Sequence, residues 1–184
     1  WVRIQRIQRD IPARLIAAGV RAGNLREIAI RKLTERGGRC RCLRCREPGR
    51  RVSPDPERFR LQQTRYEASQ GVEWFLSWED PDSDTVAGFL RLRHPSENPS
   101  TGPGAPIVRE LKVLGPETPV GVAPSEGTYQ HRGFGRGLVE RAEAIAREEG
   151  ASRLFVTAAV GTRPYYRALG FARAGAYCAK PLFA

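Results

Sequence analysis

Gln130-His131-Arg132-Gly133-Phe134-Gly135-Arg136-Gly137-Leu138 sets three glycines at alternate positions directly ahead of a run in which Leu138, Ala142, Ile145 and Glu149 recur at helical spacing. A glycine-rich turn therefore opens a helix. The first N–H groups of a helix have no partner within it, and the positive end of its dipole points outward, so a phosphate or pyrophosphate is stabilised there. Glycine removes the side chains that would obstruct the approach. The spacing excludes two other phosphate loops. A Walker loop needs a lysine that does not follow here, and the dinucleotide fingerprint needs Gly-x-Gly-x-x-Gly after a strand.

Outward from this turn, 184 residues suffice for one domain or one domain with an appendage. An apolar content of 40% supplies a core, and 28% charged residues argue against a membrane protein. No apolar run approaches the ~18 residues that would span a bilayer, and the start does not resemble a signal sequence. A soluble cytoplasmic protein with no membrane partner is expected. The chain opens on Trp1 and contains no methionine, which points to a piece of a longer protein.

The net charge of +11 is segregated. Residues 1–52 carry 15 Lys and Arg against 4 Asp and Glu, whereas the remaining 132 residues carry 16 of each sign. A basic block beside a neutral domain is the footprint of a polyanion-binding face, for nucleic acid or for an acidic protein. Trp1 to Arg9 alternates apolar and polar residues and predicts a short strand with arginines on one face. Pro12 begins a helical turn through Leu15 and Ala18, stopped at Gly19. A clearer helix is predicted from Leu25 to Arg36, with Asn24 as its cap, Leu25, Ile28, Ala29 and Leu33 as its apolar stripe, and Gly37-Gly38 as its stop.

Cys40, Cys42 and Cys45 follow at Cys-x-Cys-x-x-Cys spacing. Disulfides are not expected in an intracellular chain, and clustered thiolates among arginines suit a structural tetrahedral zinc, the alternative being free thiols. The fourth ligand is open: Cys178, His94, His131 or a group outside the chain. His94 and His131 are otherwise read as ordinary hydrogen-bonded histidines.

Glu47 to Pro56 predicts a linker. Strands are predicted to begin at Arg58–Leu61 and to run over Val72–Trp78, Thr85–Leu92 and Ile107–Leu114. Glu79 to Asp84 forms a plain solvated acidic hairpin turn, and His94 to Pro106 a mobile loop. Arg153–Val160 is nearly continuously apolar and reads as a strand buried on both faces. A short helix from Gly161–Pro164 to Gly170 and a last strand from Arg173 to Leu182 complete the pattern.

Gln130-x-x-Gly133-x-Gly135 resembles the Arg/Gln-x-x-Gly-x-Gly/Ala signature of the GNAT acetyltransferase superfamily, and the order of elements over residues 57–184 matches it. The segments IVRELKVLG, QHRGFGRGLVERAEAIAREEG and VGTRPYYRALGF, with WVRIQRIQRDIPARLIAAGVRAGNLREIA ahead of them, resemble the carboxy-terminal half of the catalytic subunits of Elongator, which modify tRNA uridine. The resemblance covers nearly the whole chain. It implies an α/β (α+β) fold with a mixed, mostly antiparallel sheet flanked by helices in residues 56–184. Residues 1–55 would be a small basic zinc-binding segment ending a radical S-adenosylmethionine domain.

The implied function is the acetyl-coenzyme A-binding acetyltransferase part of a wobble-uridine 5-carboxymethylation enzyme, hydrolysing acetyl-coenzyme A in response to tRNA. A 4Fe-4S cluster and S-adenosylmethionine would belong to the longer protein only. A lysine N-acetyltransferase or a non-catalytic tRNA-binding sensor of acetyl-coenzyme A are the alternatives. In the implied site Glu110, Leu111, Lys112 and Val113 pair with pantetheine. Gln130, Arg132, Gly133, Phe134, Gly135, Arg136 and Gly137 hold pyrophosphate, Tyr165 lies beside the coenzyme, and Tyr166 protonates the departing thiolate. Arg3, Arg6, Arg9, Arg41, Arg44 and Arg46 would meet tRNA. Further Elongator-like subunits or self-association would supply other partners.

Overall fold

Four successive runs rich in β-branched and aromatic residues, the first three joined by short polar turns, favour an antiparallel meander. The computed structural model describes residues 1–5, 7, 11–50, 54–95, 104–115, 129–130 and 132–183. In it β1 (Arg60–Ala68), β2 (Gly71–Asp80), β3 (Thr85–Pro95) and β4 (Ile107–Val113) form that meander. α1 (Leu25–Glu35) precedes it. α2 (Phe134–Glu148), β5 (Arg153–Val156), α3 (Arg163–Ala168), β6 (Ala172–Ala174) and β7 (Tyr177–Pro181) follow. The seven strands lie in the order β1-β2-β3-β4-β5-β7-β6. Only β4 and β5 are parallel, so the sheet is mixed and mostly antiparallel, as expected.

Leu138, Val139, Ala142, Ile145 and Ala146 make one face of α2 and pack on Leu76, Leu90, Leu92, Val108, Leu154 and Val156 of the sheet. Each fully buried aliphatic side chain contributes about 1.5–3 kcal/mol. The opposite face exposes Phe75, Val86 and Phe89, which are covered by Leu43 from a 3-10 turn, Leu43–Arg46. The cysteine turn is thus packed on the sheet as a second, smaller layer. α1 follows its expected bounds closely but buries no residue, and the Asn24 side chain makes no cap bond.

β4 and β5 share only two paired positions, Ile107 with Phe155 and Val108 with Val156. Beyond them the strands part. Among the described residues, the backbone of residues 110–113 is paired only on its β3 side. A register shift places Arg91 opposite Glu110 but Leu92 opposite Val108, so Arg109 is the extra residue of a bulge. The bulge resets the alternation. Leu111 and Val113 pack on the α2 side, while Glu110 and Lys112 face the other way with Arg91.

Several expectations are corrected. Residues 1–5 are not a strand: their carbonyl groups are used by Leu43, Arg26 and Arg44 instead of a neighbouring strand. The turn after Pro12 covers only Ala13–Leu15. β1 runs on to Ala68, and His94 and Pro95 end β3 instead of opening a loop. β5 stops at Val156, because the chain turns away where β4 and β5 part, and Val160 is 74% exposed. The last expected strand is a hairpin, β6 and β7, turning at Gly175 with φ +61°.

The acidic turn between β2 and β3 is not simply solvated. The side chain of Asp84 is 9% exposed and receives Arg39, Arg41 and Arg46, while Arg46 also pairs with Glu79. Asp80 is buried, bonded by Ser83 and near Arg58.

Candidate active site and metal centre

The turn before α2 is set by its backbone. Gly133 is the N-cap residue at φ +85°, a left-handed conformation that a side chain would strain. Its N-cap residue, a glycine, has no side chain to cap α2, and no acidic residue lies in the first turn. Arg136 is exposed on that turn, and Arg132 lies just before it. The helix start is therefore positive in both its dipole and its side chains.

Two further glycines are fixed by what they face. A methyl group at Gly135 would lie 2.8 Å from the Tyr165 hydroxyl, and one at Gly137 would lie 3.1 Å from the Trp78 indole. Trp78 Nε1 donates to the Phe134 carbonyl at 3.1 Å, and the Phe134 ring is buried among Phe59, Trp78 and Tyr129. Tyr129 is anchored in turn by its hydroxyl, which donates to the Pro54 carbonyl at 2.7 Å. This aromatic support was missed in the sequence. The alternation of Trp74, Leu76 and Trp78 along β2 was the signal that could have placed Trp78 on the helix side.

The tyrosine pair on α3 divides. Tyr165 is 41% exposed, and its hydroxyl lies over the first turn of α2. The Tyr166 ring is buried between Tyr165 and Phe171. Its hydroxyl has no hydrogen-bond partner among the described residues, yet it is not among the atoms sealed from solvent. Burial, with smaller contributions from Tyr165 and Cys178, pushes its pKa up to about 12. It is a neutral phenol with a proton to give.

The structure brings together the glycine-capped start of α2, Val113 of the parted strand edge and Tyr165, since Val113 Cγ2 and the Tyr165 hydroxyl both border Gly135. An anion at the helix start and an extended, amide-bearing chain along residues 110–113 can be held at once. Glu110 lies on the other side of β4, paired with Lys112 at 2.7 Å and with Arg91 at 3.0 Å. Burial would raise its pKa, but these two cations outweigh burial and hold it below the usual carboxylate range.

Cys40, Cys42 and Cys45 present sulfur atoms within 4.8 Å of one another, a spacing compatible with one tetrahedral zinc. Burial would raise the Cys42 thiol. The backbone N–H groups of Cys45 and Ile4, then Cys40 and Arg26, outweigh burial and bring it down to about 6. Burial and its bond to Cys40 raise Cys45. Arg26 donates to Cys45 Sγ at 3.1 Å. No fourth ligand joins the three among the described residues: Cys178 lies in the core beneath α2, and His94 Nδ1 is bonded to Glu149.

The arginines expected to meet nucleic acid have partners within the chain. Arg3 pairs with Glu47, Arg41 with Asp84, and Arg46 with Glu79 and Asp84, while Arg44 donates to the Gln5 carbonyl. The side chain of Arg41 is still 67% exposed and that of Arg46 only 11%. Arg6, Arg9 and His131 lie outside the described residues. No helix among the described residues is long and apolar enough to cross a membrane.

Residues 41–171 match the acetyltransferase (GNAT) family. The tRNA uridine(34) acetyltransferase of Methanocaldococcus jannaschii is 45% identical over 190 residues, covering 99% of this chain and 35% of that protein. Human Elongator complex protein 3 is 44% identical over 189 residues, covering 99% and 34%. The structure of Elp3 from Methanocaldococcus infernus with an amino-terminal deletion has 44% sequence identity and a TM-score of 0.85, covering 96% of this chain and 43% of that one. The chain spans about a third of the length of the curated relatives it matches.

Proposed function

This chain belongs to the acetyltransferase (GNAT) family, and on that premise we propose that it is the acetyl-coenzyme A-binding part of a tRNA wobble-uridine 5-carboxymethylation enzyme that turns over the thioester when tRNA binds. The observation that carries this reading is the meeting of the glycine-capped start of α2, the edge of β4 left open among the described residues and the tyrosine pair at one place. The coenzyme would supply the activated acetyl group. Backbone N–H groups of residues 133–137, with Arg132 and Arg136, would hold its pyrophosphate, and Gln130 would shape the turn. The backbone of residues 110–113 would pair with its pantetheine. Tyr166 would give a proton to the departing thiolate.

Zinc on the cysteine turn would be structural, since three of its positions are thiolates and Arg26 already lies against them. Residues 1–55 would end a radical S-adenosylmethionine domain, whose cluster would lie elsewhere in a longer protein acting in the cytoplasm. The tRNA face would include Arg3, Arg6, Arg9, Arg41, Arg44 and Arg46, and other Elongator-like subunits are candidate partners.

The acceptor would approach β4 from the face opposite α2, where Glu110 and Lys112 lie. This placement disfavours a lysine N-acetyltransferase, which needs a base to take a proton from an ammonium group: Glu110 is paired with two cations that keep it ionised and make it a weaker base. The experiment is release of free coenzyme A from acetyl-coenzyme A, with and without a tRNA transcript. Release stimulated by tRNA is expected. Tight coenzyme binding without release under either condition would leave a sensor instead.

A further inference from the structure

The face of β4 opposite α2 floors a cleft of about 480 Å³, whose walls include Trp1, Gln5, Tyr66 and Arg91 as well as Glu110 and Lys112. One wall is not part of the sheet. It is the extended segment of residues 1–5, which touches the sheet through the Trp1 ring, stacked on Tyr66 at 4.9 Å and 4°, and through the Trp1 carbonyl, which accepts from Arg91.

That segment is held from behind by the cysteine turn. Leu43 N donates to the Val2 carbonyl at 2.9 Å. Arg26, which also grips Cys45, donates to the Ile4 carbonyl at 3.3 Å. Arg44 reaches the Gln5 carbonyl and Arg3 reaches Glu47, each from within or just beyond the turn. Every residue from Val2 to Gln5 is therefore tied to residues 26–47. The turn is in turn fastened to the sheet by buried Leu43 and by Arg46 on Glu79 and Asp84. One metal ion shared by three sulfur atoms this close would tie residues 40, 42 and 45 together, so an occupied metal site keeps the bracket in shape.

We propose that the metal of Cys40, Cys42 and Cys45 sets the acceptor side of the site, by fixing residues 1–5 as the wall of the cleft over Glu110 and Lys112. The coenzyme side is independent of it, because α2, the Gly133 turn and the tyrosine pair lie on the other face of the sheet. The inference rests on the reading that the acceptor enters opposite α2. An aromatic stack beside Arg91 and Lys112 suits a tRNA base with its phosphate, because stacking on a ring and a nearby cation are what unpaired nucleotides use.

The test strips zinc from the protein with a chelator and restores it, following three quantities. Indole emission is compared with that of Trp1→Phe, to isolate Trp1 from Trp74 and Trp78. Coenzyme A affinity is measured by calorimetry, and tRNA-transcript affinity by titration. Loss of zinc should change the Trp1 emission and weaken tRNA about tenfold, the scale of one lost stacking contact. Coenzyme A affinity should stay within about twofold, being set on the other face. Arg44→Ala, which cuts one tie without touching a thiol, should shift Trp1 in the same direction with zinc still bound.

Unchanged Trp1 emission on zinc removal, or absence of bound zinc, overturns the proposal. Parallel loss of coenzyme A affinity also overturns it, since the metal would then hold the whole fold. Failure to bind coenzyme A at any zinc level, with the Trp1 response intact, would instead sink the acetyltransferase reading and leave the wall standing.

Discussion

Tyr165 and Tyr166 are neighbours whose side chains leave α3 about 100° apart, so one meets the start of α2 and the other enters the core. Burial has opposite uses for the two. It keeps the Tyr166 phenol neutral well past physiological pH, while the lack of a partner among the described residues leaves its proton available. Tyr166→Phe should therefore keep coenzyme A affinity and lower tRNA-stimulated release by ~10²–10⁴-fold. Unchanged release would assign Tyr166 to packing alone. The pair was visible in the sequence, but its division was not, because which tyrosine turns inward depends on the angle at which α3 meets α2.

At the scale of the element, α2 shows how much a pattern can carry. Its existence, its end and its buried stripe at Leu138, Ala142 and Ile145 were legible from periodicity, but it starts at Phe134, four residues before the expected Leu138, so Gly135 and Gly137 lie in its first turn and not ahead of it. The reasons behind the glycines were not legible. Only Gly133 answers to a left-handed φ, whereas Gly135 and Gly137 make room for Tyr165 and Trp78 from distant parts of the chain. This difference can be tested. Gly135→Ala should weaken coenzyme A binding, because its methyl group collides with a hydroxyl and displaces Tyr165. Adding Tyr165→Phe should restore the affinity, since the next contacts, at 3.6 Å, are ordinary. A double variant as weak as Gly135→Ala would show that the helix start itself had been spoiled.

The shorter elements misled for a related reason. Val2 and Ile4 alternate as a strand would, but no strand edge among the described residues is offered to them, and their carbonyls go to Leu43 of the cysteine turn and to Arg26 of α1. Arg153–Val160 reads as one strand because apolar composition continues past Val156, the last residue paired with β4.

For the whole molecule, charge arithmetic located the basic block but not its anchorage. Part of the excess is consumed internally, as Arg39, Arg41 and Arg46 close on Asp84 and Glu79 and bind the cysteine turn to the β2–β3 hairpin. Composition cannot show this, because the partners are 33 to 45 residues apart. Burial would raise the pKa of Asp84, but Arg41, Arg46 and Arg39 overcome it and hold the carboxyl below the usual range. A depressed folded value stabilises the protein above the unfolded pKa of about 3.9, and the contribution is lost as pH falls through the folded value. Urea unfolding between pH 6 and pH 3 should show that loss. In Asp84→Asn it should be absent, with stability near neutrality lower by about 2 kcal/mol, below the usual cost of breaking a buried pair because Arg39 and Arg41 are more than half exposed. An identical acid profile in the variant would remove Asp84 as the clasp.

The parting of β4 from β5 has a consequence for handling the protein as well as for its chemistry. Along residues 110–113 the sheet is unfinished in its interior among the described residues, and on the proposed assignment the coenzyme arm serves as its removable strand. An unfilled slot of this kind is a template for any extended peptide, including one from another copy. Coenzyme A should then act as a protective filler: light scattering from concentrated, ligand-free protein should rise with time, and coenzyme A should suppress it, whereas free adenosine diphosphate, which lacks the amide-bearing arm, should not.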